Sequence, residues 1–188
     1  MIHSSRYIKI IILFFFTFGL LLSCENDIDV VKNLGKSKPG VEEGKRIVTF
    51  WSTGGKVKAK LTSPLMYRYL NDSPRVEFPH TVHVDFFDSA LHVQSQLFAK
   101  YARYNESQGK VYLRDSVIAF NVKKDTLWCD EMWWDQNLGT FYTDGPVRIH
   151  QNNPMQKIRG IGMVADQNLK WFTIKKASGP VLVPDSVL

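Results

Sequence analysis

The side chains able to do chemistry sit in a few places, and their spacing decides most of them. His80 and His83 are metal-ligand types, but positions three apart on a strand face opposite sides and cannot share an ion. His83 and Asp85 do share a face, with His92 further on, yet two or three surface groups make a poor site and no metal is expected. Asp130, Glu131 and Asp135 stand beside Trp133 and Trp134, a mixture suited to sugar chemistry. Hydrolysis needs two carboxyl groups facing each other across a cleft, which one strand does not demonstrate; an outer polar face beside half-buried aromatics is the simpler reading. Cys129 lies on the same stretch with no neighbour to activate a thiolate and reads as a small apolar filler. Gly160-Ile161-Gly162-Met163-Val164-Ala165 spells a dinucleotide fingerprint, but Asp166-Gln167-Asn168 follow at once and too little chain remains for the required unit. A bulge or tight strand crossing is expected there instead. No nucleophile, base and oxyanion site assemble, so the chain reads as a non-enzyme without a cofactor.

The cysteine that does carry a reaction is Cys24. Arg6 and Lys9 precede an apolar run from Ile10 to Leu22, and Leu21-Leu22-Ser23-Cys24 closes it. Charge, short apolar run and small residue in that order make a secretory signal; a membrane span needs about 20 apolar residues. An uncleaved anchor is the competing reading, which the short run and the cysteine disfavour. The last four residues resemble a lipobox, whose cysteine is acylated and becomes the new first residue. Each methylene buried in the bilayer adds about 0.8 kcal/mol, and two or more chains anchor stably.

With Cys24 lipidated, only Cys129 remains, so an intramolecular disulfide is ruled out and the exported domain must rely on its core. The chain has 24 Lys and Arg against 18 Asp and Glu; losing Arg6 and Lys9 with the signal leaves 22 against 18, a formal +4. That bias suits anionic partners but is far from a nucleic-acid footprint. The expected organisation is a signal peptide over 1–23, a lipidated tether over 24–45, one folded domain over 46–176 and a tail over 177–188.

The elements positioning these residues read as strands. Val57, Ala59 and Leu61 alternate with lysines; Val82, Val84 and Phe86 alternate with His83 and Asp85; Val147 and Ile149 flank Arg148. Period two places one face in a core and the other in water. Asn71 to Pro74, Asn105 to Gly109, Asp135 to Gly139 and Gln151 to Pro154 carry turn residues. Val93 to Tyr104 fits either a helix or a strand with Leu97, Ala99 and Tyr101 on one face; its β neighbours favour the strand. A degenerate repeat also runs through the chain. Ala99 with Tyr104 five residues on, then Asp115-Ser116-Val117, matches Cys129 with Trp134, then Asp144-Gly145-Pro146-Val147, and Ala165 opens a shorter third unit. Stacked hairpins of this kind bury one continuous core.

In order and spacing, GGKVKAKLTSPLMYRY, RVEFPHTVHVDFFD, QLFAKYARYNESQGKVYLRDSVIAFN, TLWCDEMWWDQNLGTFYTDGPVRI and MQKIRGIGMVADQNLKWFTI resemble the LptC family, the membrane-anchored periplasmic components of lipopolysaccharide export. The resemblance runs from about Gly54 to Ile174. It departs at the N-terminus, where familiar members keep a transmembrane helix and this chain has a lipobox. The resemblance implies an all-β, antiparallel, twisted open β-roll (jelly-roll, boat-like) of stacked hairpins whose interior takes acyl chains of lipopolysaccharide. It further implies docking on an inner-membrane ABC transporter at the N-terminal edge, and on a homologous β-roll bridge protein at the C-terminal edge. Location would be the periplasmic side of the inner membrane, held by Cys24. The expected lipid-facing or core set is Val57, Ala59, Leu61, Val82, Val84, Phe86, Leu97, Ala99, Tyr101, Phe120, Trp133, Val147 and Ile149. The expected edges are Ile47, Val48 and Phe50 at the start and Trp171, Phe172 and Ile174 at the end. A surface lipoprotein binding glycans through exposed tryptophans is the alternative, with Trp133 or Trp134 on a platform.

Overall fold

The computed structural model describes residues 40–70, 74–152 and 155–178. Cys24, the signal segment and most of the expected tether and tail lie outside the described residues. Among the described residues, eleven antiparallel strands form one twisted sheet that is not a closed barrel. They are β1 (Val41–Thr53), β2 (Lys56–Tyr69), β3 (Arg75–Phe78), β4 (Val82–Phe87), β5 (Val93–Ala99), β6 (Tyr101–Asn105), β7 (Lys110–Asn121), β8 (Thr126–Asp135), β9 (Thr140–Asn152), β10 (Met155–Asp166) and β11 (Phe172–Ser178). Long hairpins run in sequence order from β7 to β11. At the other end, β4 and β3 divide the length of β2, while β5 and β6 divide that of β7. Residues Val41 to Lys45, expected as the end of the tether, are already strand, and β11 runs on through Ser178 into the expected tail.

A crease crosses the sheet and folds it into two halves. Arg46 on β1 has φ 53°, Thr81 before β4 has φ 39°, Asp115 and Ser116 on β7 have φ 65° and 58°, and Gly162 on β10 has φ 76°. Hydrogen bonds hold this row in line. Ser63 Oγ has the Thr81, Leu65 and His80 carbonyls at 2.9, 3.0 and 3.2 Å as alternative acceptors for its one proton; Thr81 N donates to Lys100 O, and Lys100 N to Asp115 O. The β7–β8 and β8–β9 ladders slip between Arg114 and Val117 and between Cys129 and Trp133. Extra residues of this kind bend a strand and reverse which face the next side chain meets. Positive φ at a non-glycine costs about 1–3 kcal/mol, so the four non-glycine positions in this row mark an imposed shape.

Val93 to Tyr104 is strand, as favoured, but the bend at Lys100 splits it into β5 and β6. The glycine-rich stretch is a bulge between Ile161 and Met163, also as expected. Gly160 has a separate reason to lack a side chain: a Cβ there would fall 2.3 Å from Ile174 Cγ2 and 2.6 Å from the Lys176 carbonyl on β11.

Between the halves lies the core. Phe86, Leu97, Leu127, Met132, Phe141 and Met163 are fully buried. Edge-to-face contacts connect Trp134 to Phe86 (centroids 4.9 Å, 89°) and Phe86 to Phe141 (5.7 Å, 70°). Successive turns stack, Gln136 N on Gly109 O and Gln167 N on Gly139 O, each at 3.0 Å. That ladder is the structural form of the degenerate repeat.

Candidate functional site

Near the N-terminal edge the core is incomplete. An apolar cavity of about 270 Å³ lies between Thr49, Phe50, Trp51, Ala59 and Leu61 of one half and Met66, Val76, Phe78, Tyr104, Val111, Trp134 and Gln136 of the other. It reaches the surface at Thr49 and Phe50, both exposed. Ligand pockets start at about 300 Å³, so the space suits one acyl segment rather than a whole multi-chain lipid. Burial pushes the Tyr104 phenol above its ordinary pKa, in keeping with the apolar wall it joins.

Opposite the crease, the halves are joined by a polar clasp. Ser95 Oγ donates its one proton to the Gln167 carbonyl at 2.7 Å, with Asn168 Oδ1 a second acceptor within reach at 3.1 Å. Asn121 Nδ2 donates to the Asn168 carbonyl at 3.4 Å, and Trp134 Nε1 to Gln167 Oε1 at 3.1 Å. Removing a clasp partner leaves buried polar atoms unpaired.

Of the expected interior set, Ala59 and Leu61 line the cavity. Val82, Val84, Phe86, Leu97, Ala99, Val147 and Ile149 are buried core, and Val57 is half-buried near its strand end. The expectation that Tyr101, Phe120 and Trp133 point inward is corrected: all three lie on the outer face. The Lys100 bend turns Ala102 and Tyr104 inward, leaving Tyr101 under the Arg114 guanidinium at 4.4 Å. After Asp115 and Ser116, Val117, Ala119 and Asn121 take the inner positions, and Phe120 stacks on exposed Phe98 at 6.0 Å. The outward pair Asp130-Glu131 shifts β8, so Met132 and Trp134 enter the core and Trp133 stands outside between Tyr112 (4.9 Å) and Tyr142 (6.4 Å).

Sequence reading missed Met66, Val76, Phe78, Tyr104, Val111 and Trp134. The repeat held the signal for two of them: Tyr104 and Trp134 stand five residues after Ala99 and Cys129, and both line the cavity.

The expected edges are the sheet's two ends. Among the described residues β1 pairs with β2 alone and β11 with β10 alone. Ile47, Phe172 and Ile174 pack against the core, whereas Val48, Phe50 and Trp171 are exposed. Free edges expose unpaired backbone groups able to add a strand.

The other sequence candidates do not converge. His83 Nε2 lies 3.1 Å from Asp85, and His92 sits by Asp88 instead. Among the described residues no group of three or more His, Cys, Asp or Glu is placed to hold a metal ion. Asp130 and Glu131 are exposed, with Glu131 accepting a hydrogen bond from Tyr112 Oη, while Asp135 is buried and caps its own turn. Burial, then Asp130 and Glu131, push the Cys129 thiol up to about 12. Trp134 is buried and Trp133 half-buried, so neither forms an exposed platform.

A creased antiparallel β-roll with an apolar interior, its two end strands each paired on one side among the described residues, defines the class of this protein. More narrowly, the lipopolysaccharide-assembly, LptC-related family matches residues 44–178, and the chain belongs to that family. Membership implies a role in lipopolysaccharide transport within the cell envelope, a family role that is generally non-enzymatic. No curated protein matches the chain.

Proposed function

We propose that the domain is a non-enzymatic carrier that accepts lipopolysaccharide from an inner-membrane ABC transporter and passes it to a homologous β-roll bridge protein. The observation carrying this reading is the apolar cavity of about 270 Å³ in a sheet whose two end strands, among the described residues, are each paired on one side only. An acyl segment inside gains about 0.8 kcal/mol for each methylene buried. Release into water would forfeit that gain, whereas transfer to an equally apolar interior is near neutral. Direction therefore comes from ATP hydrolysis at the transporter. β1, with Val48 and Phe50 exposed, is the edge for the transporter; β11 and Trp171 are the edge for the next carrier. Acylation of Cys24 would hold the domain at the periplasmic side of the inner membrane, the residues before Val41 acting as tether.

Further acyl chains require the halves to part, because Phe86, Phe141 and Met163 fill the middle of the interior. The test is photocrosslinking in cells from benzoylphenylalanine placed singly at Met66, Tyr104, Tyr101, Phe120 and Trp133. Lipopolysaccharide adducts are expected from Met66 and Tyr104 and not from the three outward positions. Equal labelling from both sets, or none from Met66 and Tyr104 in a folded protein, overturns the reading.

A further inference from the structure

Beside the apolar cavity lies a second, polar cleft of about 940 Å³, and the two share Trp51 and Gln136 in their walls. Its lining includes Lys58, Lys170, Asn137 and Asn168. One carboxylate, Asp88, is among the described lining residues, and its own loop occupies it. Asp88 Oδ1 accepts from the Ala90 and His92 amides at 2.8 and 2.9 Å, and Oδ2 from Gln94 Nε2 at 3.0 Å, with His92 Nδ1 at 3.6 Å. Among the described residues neither Lys58 nor Lys170 has an ion-pair partner. Two lysines without an ion-pair partner among the described residues thus line a polar space adjoining an apolar one.

We propose that this cleft is a headgroup subsite for an anionic amphiphile, with Lys58 and Lys170 pairing with a phosphate while the chain occupies the apolar cavity. The inference rests on the reading of that cavity as an acyl site and adds the chemistry of the polar end. An amphiphile whose tail enters past Trp51 brings its polar end to the shared wall. Lysine binds phosphate as a point charge with three donors and needs no fixed approach, which suits a wide, hydrated cleft. Two partly exposed pairs of this kind are worth about a two- to thirty-fold preference for the charged ligand.

The experiment uses the full-length chain in phosphatidylcholine nanodiscs, labelled with diazirine-bearing dodecyl phosphate or the matching dodecanol, both read by mass spectrometry. The phosphate probe should label cavity residues about two- to thirty-fold more than the alcohol. In Lys58→Glu/Lys170→Glu, and less steeply in Lys58→Gln/Lys170→Gln, the ratio should fall towards one with alcohol labelling unchanged. Met66→Trp, which narrows the cavity, should reduce labelling by both probes. Each variant is checked for native β-sheet circular dichroism. A ratio near one in the unaltered chain, or one insensitive to both lysine pairs, overturns the headgroup subsite alone. Competition by millimolar inorganic phosphate as effective as by dodecyl phosphate makes the cleft a free-anion site and overturns it too. Labelling by both probes that ignores Met66→Trp removes the acyl cavity, and the subsite with it.

Discussion

Trp51 on β1 meets Trp134 on β8 edge to face, with ring centroids 6.0 Å apart and planes at 83°. The pair extends the chain of edge-to-face rings through Phe86 to Phe141, so a free edge strand is tied to the middle of the sheet. It also forms one wall of the apolar cavity, making the fit of β1 and access to the interior a single problem.

Trp51→Ala should therefore loosen β1 while the rest of the sheet stays intact. Loss of one half-buried indole and its aromatic pair costs about 2 kcal/mol. Urea unfolding measures the loss. Binding of a dye selective for apolar surface should rise under native conditions; unchanged dye binding would mean the cavity is not governed by this contact.

Phe86→Ala removes the ring at the centre of that chain. Phe86 is fully buried, so the expected cost is about 3–5 kcal/mol, much of it a cavity its neighbours do not close. Phe120→Ala, on the outer face, should cost much less. Thermal melts of the two variants compare the faces directly, and equal shifts would contradict the assigned pleat.

Gly160→Ala acts on the other free edge. A methyl group meets Ile174 and the Lys176 carbonyl closer than contact allows, so β11 must move off β10. Hydrogen exchange should speed up in Phe172–Ser178 and stay slow in β8 and β9. If β11 remains protected, the close approach is relieved locally and the edge is more compliant than its packing indicates.

Cys129 offers a pH test. Its thiol is pushed up to about 12 from an ordinary value of 9.0, chiefly by burial. The neutral thiol is the form the fold favours, so its contribution to stability is complete below pH 9 and is lost as pH rises from there towards 12. Iodoacetamide at pH 8 should leave the Cys129 peptide unmodified in the folded chain and alkylate it in urea, as read by mass spectrometry. Rapid modification under native conditions would place the thiol at the surface.

How much of this was legible in the sequence depends on distance along the chain. Alternation over a few residues identified Val57 to Leu61, Val82 to Phe86 and Val147 to Ile149 as strand, because a pleat places every second side chain on one face. Turn residues located the hairpins, and the order of the hairpins resembled the family that residues 44–178 match. The strand preference over 93–104 held, because its neighbours on both sides are β.

The face of Tyr101, Phe120 and Trp133 was not legible. A pleat has a memory of two residues, and one bend or extra residue at Lys100, Asp115-Ser116 or Asp130-Glu131 reverses everything beyond it. Those irregularities are set by hydrogen bonds between strands distant in sequence, such as Ser63 to Thr81 and Lys100 to Asp115. The cavity is likewise a property of separation: Ala59 and Trp134 become facing walls only once the crease has folded the halves together. Local residue order dictates that strands form, where they turn and which family they make. Which side chains face the space between the halves is settled on folding, because that choice is made at the crease, by partners local periodicity does not reach.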